Sequence, residues 1–552
     1  MSTHPDLVIT GARVRLPDGA WATGVASTGG TVSAVGDAAD VRGLAGPTTR
    51  VIEAPGRLVL PGFQDSHVHA PFAGRNRLHV WLNDVLGKDE YLGLIKAYAA
   101  SHPDEPWIIG GGWAMECFPG GTPRKEDLDA IVPDRPVFLF NKDVHGAWVN
   151  SKALEVAGIT RDTPDPSDGR IERDPDGEPT GTLHEGAAYT FNDLHLPVPN
   201  RAEWEASILN AQAHLHSLGI TGWQDAWVTP ATLEAYASMA ADGQLTGRVV
   251  GALWWDRHRG LEQITDLLTQ REQASGAAVA SGSAVPGFFP TTVKIMTDGV
   301  LENYTGALLE PYCDGCGGHT DNHGLTYVDR ELLAEVVTQL DSLNFQVHMH
   351  AIGDRAVRNA LDAVQAARTA NGKNDLRHHI AHIQIVQPED VPRFKELDVV
   401  ANCQTYWAKT DPQMEELTIP FIGRDRVDIQ YPFESIRRTG ARLSMGSDWA
   451  VTTANPLEQL EVAITRMDRD SAPFLPEQRL SLSDAFDAFT AGSAYINHDE
   501  AGGAIAVGKR ADLAVLDIDV FADGYASGGR APVADASVEW TVASGAVVYE
   551  RS

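Results

Sequence analysis

Apolar and polar residues alternate over residues 6–55 in three short runs, DLVITGARV, GGTVSAVG and TTRVIEAPG, each bounded by Gly, Asp or Pro. A period of two predicts strands, and the bounding residues predict hairpins. The same texture returns after residue 500, in GGAIAVGKRADLAVLDID and SVEWTVASGAVVYE. Chain ends often lie close together in a compact fold. One small β-sandwich is therefore expected from residues 1–57 and 496–552.

Between those ends, strand-like runs alternate with helical periodicity, the pattern of a parallel sheet. Strands are predicted at 57–66 (RLVLPGFQDS), 219–226 (GITGWQDA), 248–255 (RVVGALWW) and 291–297 (TTVKIMT). Four more are predicted at 344–350 (NFQVHMH), 378–385 (HHIAHIQI), 398–404 (DVVANCQ) and 441–447 (ARLSMGS). Eight is the number that closes a TIM-type (β/α)8 barrel, so the fold class is α/β. Helices are predicted at 330–343 and 354–369, the second opening on Asp354 as an N-cap. About 150 residues separate the first strand from the second, where a βαβ unit needs only about 30. The first barrel strand thus lies in 58–71 and the remaining barrel in 201–495. Residues 72–200 are read as an inserted subdomain with a strand of its own at 136–143.

The 552 residues, 43% of them hydrophobic, suffice for a large barrel with appendages. The formal net charge of −31 repels phosphate backbones, which argues against a nucleic-acid partner. Four cysteines are too few for a disulfide framework and fit a reducing compartment. No basic segment leads into an apolar run near Met1. Nor is there a stretch of about 20 apolar residues. A soluble cytoplasmic protein without a membrane partner is expected; a homo-oligomer is compatible with these features.

The chemistry gathers at the predicted strand ends. In Asp65-Ser66-His67-Val68-His69, residues two apart point to the same side, so His67 and His69 aim together at the rim where barrel enzymes place their sites. Two imidazoles on one face suit a metal ion. Lys294, His350, His382 and Asp448 each interrupt an apolar strand near its end. Buried groups of this kind are normally paired or metal-bound. For Lys294 the pairing partners would be Asp298 or Asp448. His348 shares a face with His350 and competes with it as ligand. His378 and His379 begin their strand and suit packing or surface positions. Asp65 is a candidate to orient a ligand histidine. The run CDGCGGHTDNH, holding Cys313, Cys316, His319 and His323, is read as a Gly-rich loop in preference to a zinc site.

GFQDSHVH, VKIMTDG, HMHAIGDRAV, IAHIQ and GSDW together resemble the amidohydrolase superfamily, in particular the amidohydrolase-3 branch that includes N-substituted formamide deformylases. HGAWVNSKAL, GALLEPY and GKRADLAVLD extend the resemblance over nearly the whole chain. The resemblance implies that His67, His69 and Asp448 bind one divalent ion and that His350 and His382 bind a second. Lys294 would bridge the two as an N6-carboxylated carbamate, because an ammonium has no lone pair to give. Zinc suits the imidazoles, with one or two ions held. The implied reaction is hydrolysis of a non-peptide C–N bond in a small-molecule amide, an N-substituted formamide being one case. Water whose pKa the ion lowers to about 7 would attack, and Asp448 would be the catalytic base and then acid. Within the insertion, GGGWAMECF, the run around His145, and GTLHEGA place Trp113, Glu116, His145 and Glu185 as substrate contacts. Trp113, Trp407 or Trp449 would hold an aromatic substituent. Deamination, cyclic-amide opening, a metal-free scaffolding relative and an amine-binding module are the competing readings.

Overall fold

A computed structural model describes residues 4–275, 286–468, 471–522 and 532–552. Eight parallel strands follow one another in chain order: Phe63–Val68, Ile220–Val228, Arg248–Trp254, Phe288–Met296, Gln346–Ala351, His379–His382, Val400–Cys403 and Leu443–Met445. The last lies beside the first. The Asp448 N–H donates to the His67 carbonyl at 2.7 Å, and the Ser447 N–H donates to Asp65 Oδ1 at 3.0 Å. Gly446 permits this approach, since a Cβ there would sit 2.5 Å from the His67 nitrogen.

The strand Gln346–Ala351 shows how one stretch of sequence serves both core and site. Val347, Met349 and Ala351 join the apolar core shared with helices Arg330–Ser342 and Asp354–Asn371. Gln346, His348 and His350, on the alternate positions, face the barrel interior. Helix Arg330–Ser342 starts where Asp329 accepts from the Glu331 and Leu332 N–H groups, and it buries Leu333, Val336, Val337 and Leu340 at helical spacing. Each such side chain withdrawn from water contributes about 1.5–3 kcal/mol. Asp354 does not cap the next helix. Gly353 holds the N-cap position, while Asp354 accepts from the Leu309 N–H at 2.9 Å and from Gln387 Nε2 at 2.6 Å. Its carboxylate thus pins the GALLEPY loop.

The apolar run expected at 57–66 divides at Gly62. Leu58–Pro61 pairs with residues of both chain ends, and Phe63–Val68 enters the barrel. A Cβ at Gly62 would lie 2.4 Å from Thr221 Oγ1, so glycine alone fits the crossing. The two chain ends do meet, in one eight-stranded sheet. It contains Leu7–Arg15, Trp21–Thr28, Thr31–Gly36, Arg50–Glu53 and Leu58–Pro61, with Leu513–Leu516, Val538–Ala543 and Ala546–Glu550. Between the first two barrel strands a six-stranded sheet forms from Val80–Trp81, Ile108–Trp113, Val137–Asn141, Gly146–Val149, Pro179–Glu185 and Gly169–Arg173. The strand expected near 136–143 belongs to this sheet. Among the described residues no helix is long and apolar enough to cross a membrane, and the four cysteines are free.

Candidate active site

His67 is the penultimate residue of the first barrel strand and His69 directly follows that strand, and Asp448 stands just past the last. His69 Nε2 lies 3.0 Å and His67 Nε2 3.3 Å from Asp448 Oδ1. One ligand atom from each of the three falls within 4.8 Å of the others, the only such grouping of metal-ligating side chains among the described residues. Asp448 Oδ1 is buried with no hydrogen-bond partner despite this proximity. Two ring nitrogens and a carboxylate oxygen therefore converge on one buried point, the arrangement a cation requires. His382 Nδ1 is likewise buried and unpartnered and lies 3.9 Å from Asp448 Oδ2. Lys294 Nζ is 3.5 Å from His67 Nε2. The His350 and His382 rings are 4.5 Å apart between centroids. The six residues expected as ligands share one buried rim, and the donor set fits one or two divalent ions.

Electrostatics favour lone pairs here. Burial, and then Lys294, hold His67 down to about 3, so its ring is neutral at neutral pH. Burial lowers the Lys294 ammonium to about 7, which makes the free amine available. Burial works against the Asp448 anion, but His67 and His69 outweigh it and keep the carboxyl well below the usual range. His350 Nδ1 lies 3.0 Å from Asp298 Oδ1. Asp298 also accepts from the Ala307, Ile352 and Gly353 N–H groups. It thus orients His350 and is not a partner of Lys294. Sequence reading had not assigned Asp298 that role, although it directly follows the Lys294 strand in MTDG.

The neighbouring candidates fall outside the ligand cluster. Asp65 touches no ring; it accepts from the backbone N–H of His67 and of Ser447 and so ties two strands together. His348 lies beneath the rim, its Nε2 2.9 Å from His67 Nδ1, and it is not among the converging ligands. His378 and His379 are fully buried; His378 accepts from the Val347 N–H and meets Asp341 at 2.9 Å. Cys313 Sγ is 3.9 Å from His319 Nδ1, Cys316 is exposed and His323 turns to the Leu308 carbonyl. The CDGC segment is therefore a loop.

Above the rim opens a cavity of about 380 Å³ lined by His67, His69, Lys294, His350, His382 and Asp448, together with His145 and several aromatic rings. His145 Nδ1 is 2.8 Å from Glu185 Oε2 and 3.3 Å from the Tyr189 hydroxyl, which leaves Nε2 for a bound molecule. Burial opposes a charge on His145, yet Glu185 raises it to about 9. Burial pushes Glu185 up, but His145 and a 2.7 Å hydrogen bond from Thr305 draw it down to about 2. The pair is ionic at neutral pH.

Trp113 does not line the cavity. Its Nε1 donates to the Leu139 carbonyl, and its ring packs on Phe118 and Trp148 inside the insertion. Glu116 lies off the cavity, as does Trp449, which packs against His214 and Trp81. Trp407 does line it and stacks on His382, with centroids 5.0 Å apart and planes 2° apart. Trp227, Trp254 and Tyr189 line it as well. Sequence reading passed over the first two, although they stand at the C-terminal ends of the second and third barrel strands.

The amidohydrolase family profile matches residues 50–549, and the chain belongs to that family. It is 30% identical to Protein LONG AFTER FAR-RED 3 of Arabidopsis thaliana over 93% of this chain and 87% of that one. It is 27% identical to an N-substituted formamide deformylase of Arthrobacter pascens over 94% of each. An uncharacterized metal-dependent hydrolase from Pyrococcus furiosus superimposes with a TM-score of 0.71 at 25% identity, covering 93% of this chain and 99% of that one. Family and fold together are those of metal-dependent hydrolases.

Proposed function

We propose that this chain hydrolyses the C–N bond of an N-substituted amide and depends on divalent metal, zinc suiting its imidazole-rich ligand set best. The observation that carries this reading is the convergence of ligand atoms from His67, His69 and Asp448, with the buried and unpartnered Asp448 Oδ1 and His382 Nδ1 among them, at the floor of an aromatic cavity. Metal bound there would acidify a water and polarise the substrate carbonyl.

The chain's own groups account for the remaining steps. Asp448, ionised and at the floor, accepts a proton from the attacking water as the new C–O bond forms. It returns that proton to the nitrogen as the C–N bond breaks, leaving a carboxylic acid and an amine. His145, charged and with Nε2 free, donates to the carbonyl oxygen as negative charge develops there. Trp227, Trp254 and Trp407 suit an aromatic N-substituent. The test is a screen of zinc-loaded protein against N-formyl and N-acyl arylalkylamines, lactams and ring amines. Release of the arylalkylamine is expected. Release of ammonia alone would point to deamination and overturn the reading.

Lys294 is proposed to act as an N6-carboxylated bridge. A free amine near neutral pH is the form that adds CO₂, and the lowered Lys294 pKa supplies it. Lys294→Ala is expected to lose activity and recover part of it with formate, acetate or propionate, which place carboxylate oxygens in the vacated space. Kinetics across acid concentration check this, and a flat response would refute the bridge.

The charged state of His145 predicts an alkaline limb. As pH rises through about 9, kcat/KM should fall as the imidazolium loses its proton. Glu185→Gln removes the anion that raises this pKa and should bring the limb toward the ordinary imidazole value of about 6.5. An unmoved limb would dissociate His145 from catalysis.

A further inference from the structure

A chain of uncharged polar side chains descends from His67 through the barrel interior to its floor. His67 Nδ1 is 2.9 Å from His348 Nε2, and His348 Nδ1 is 2.7 Å from Gln224 Oε1. Gln224 Nε2 donates to Gln346 Oε1 at 3.1 Å and to Asn497 Oδ1 at 3.4 Å. His67, His348, Gln224, Gln346 and Asn497 are all buried. A buried network of this kind holds its geometry firmly only if every member is satisfied.

The direction of this chain can be derived from its lower end. Gln346 Nε2 meets two backbone carbonyls, those of Arg377 at 3.0 Å and Ile496 at 2.7 Å. Carbonyls only accept, so this atom must be the amide nitrogen. Gln346 Oε1 then faces upward and accepts from Thr292 Oγ1 at 2.7 Å and from Gln224. A second branch gives the same answer independently. Asp499, bound by Arg510, accepts from Gln64 Nε2 at 2.6 Å. Gln64 Oε1 in turn accepts from Asn497 Nδ2 at 3.2 Å, which turns Asn497 Oδ1 toward Gln224. Both branches require an amide nitrogen on the lower side of Gln224 and its oxygen on the upper side.

The upper half follows. An oxygen facing His348 Nδ1 requires that nitrogen to carry the proton, which leaves Nε2 with a lone pair. That lone pair accepts from His67 Nδ1–H, and His67 Nε2 is left as a lone pair 3.3 Å from Asp448 Oδ1. We propose that Gln224, oriented by the barrel floor, sets the tautomers of His348 and His67 and so presents His67 Nε2 to the metal ion. Gln224 and His348 are positioning residues, and the inference rests on the reading of His67 as a ligand.

Two measurements test it. The first needs no variant: ring-¹⁵N histidine spectra of metal-free wild-type protein, with the His348 signals assigned from their loss in His348→Gln. Proton on Nδ1 of both His67 and His348 is expected; proton on His348 Nε2 would overturn the proposal. The second is Zn²⁺ affinity by chelator competition. Loss of an outer hydrogen-bond partner typically weakens metal binding by about 10–100-fold, and Gln224→Leu is expected to fall in that range. Gln224→Glu, whose protonated carboxyl keeps an acceptor toward His348 and a donor toward Gln346, should stay within about 3-fold of wild type. Equal losses in both variants would reduce Gln224 to packing, and unchanged affinity in Gln224→Leu would remove the relay while leaving His67 as a ligand. Wild-type protein that binds no Zn²⁺ would instead overturn the ligand reading itself, and the relay with it.

Discussion

Asp448→Asn is expected to lower kcat by at least about 10²-fold while metal content stays at the wild-type level, general acid–base groups contributing about 10²–10⁴-fold. Asparagine preserves the shape of the side chain and keeps an oxygen beside His67 and His69, so the ligand cluster retains its geometry. What it removes is basicity. The wild-type carboxyl lies well below the usual carboxylate range although it is buried, and an amide can neither take up the proton of the attacking water nor deliver one to the departing nitrogen. KM should change far less than kcat, because the cavity walls that hold the substituent are untouched. Steady-state kinetics beside elemental analysis of the purified variant decide the matter. A near-normal kcat would assign proton transfer to another group, with His145 next in line.

The positions that carry this chemistry were readable in the sequence because a parallel barrel imposes a simple rule. Apolar strands with one polar residue near the C-terminal end direct that residue to a common rim, and His67, Lys294, His350, His382 and Asp448 obey it. The rule failed where a side chain's surroundings depend on distant chain. Trp113 and Trp407 look alike as isolated aromatics near turns, yet Trp113 is sealed under Phe118 and Trp148 while Trp407 stacks on His382. The split at Gly62 was hidden in an unbroken apolar run, since only the approach of Thr221 reveals why glycine stands there. Gln224 gave no signal either. A glutamine in a strand looks like an exposed position until the barrel closes around it.

Removing both histidines of the first strand is the harsher experiment. In the double variant His67→Ala, His69→Ala, the Asp448 carboxylate loses the two groups closest to it, at 3.0 and 3.3 Å. A buried carboxylate without partners takes up a proton instead of remaining charged, so the third ligand of the cluster is weakened along with the two deleted ones. About one ion per chain should be lost from protein purified in zinc-containing medium, and hydrolysis should fall to the background rate because no group remains to acidify water at the cavity floor. The fold itself is expected to survive, since the barrel closes through the His67 carbonyl and the Asp448 and Ser447 N–H groups, all of which alanine preserves. Circular dichroism separates loss of metal from loss of structure. A folded double variant with its full complement of metal would show that the ion sits elsewhere and would remove the basis of the hydrolytic mechanism.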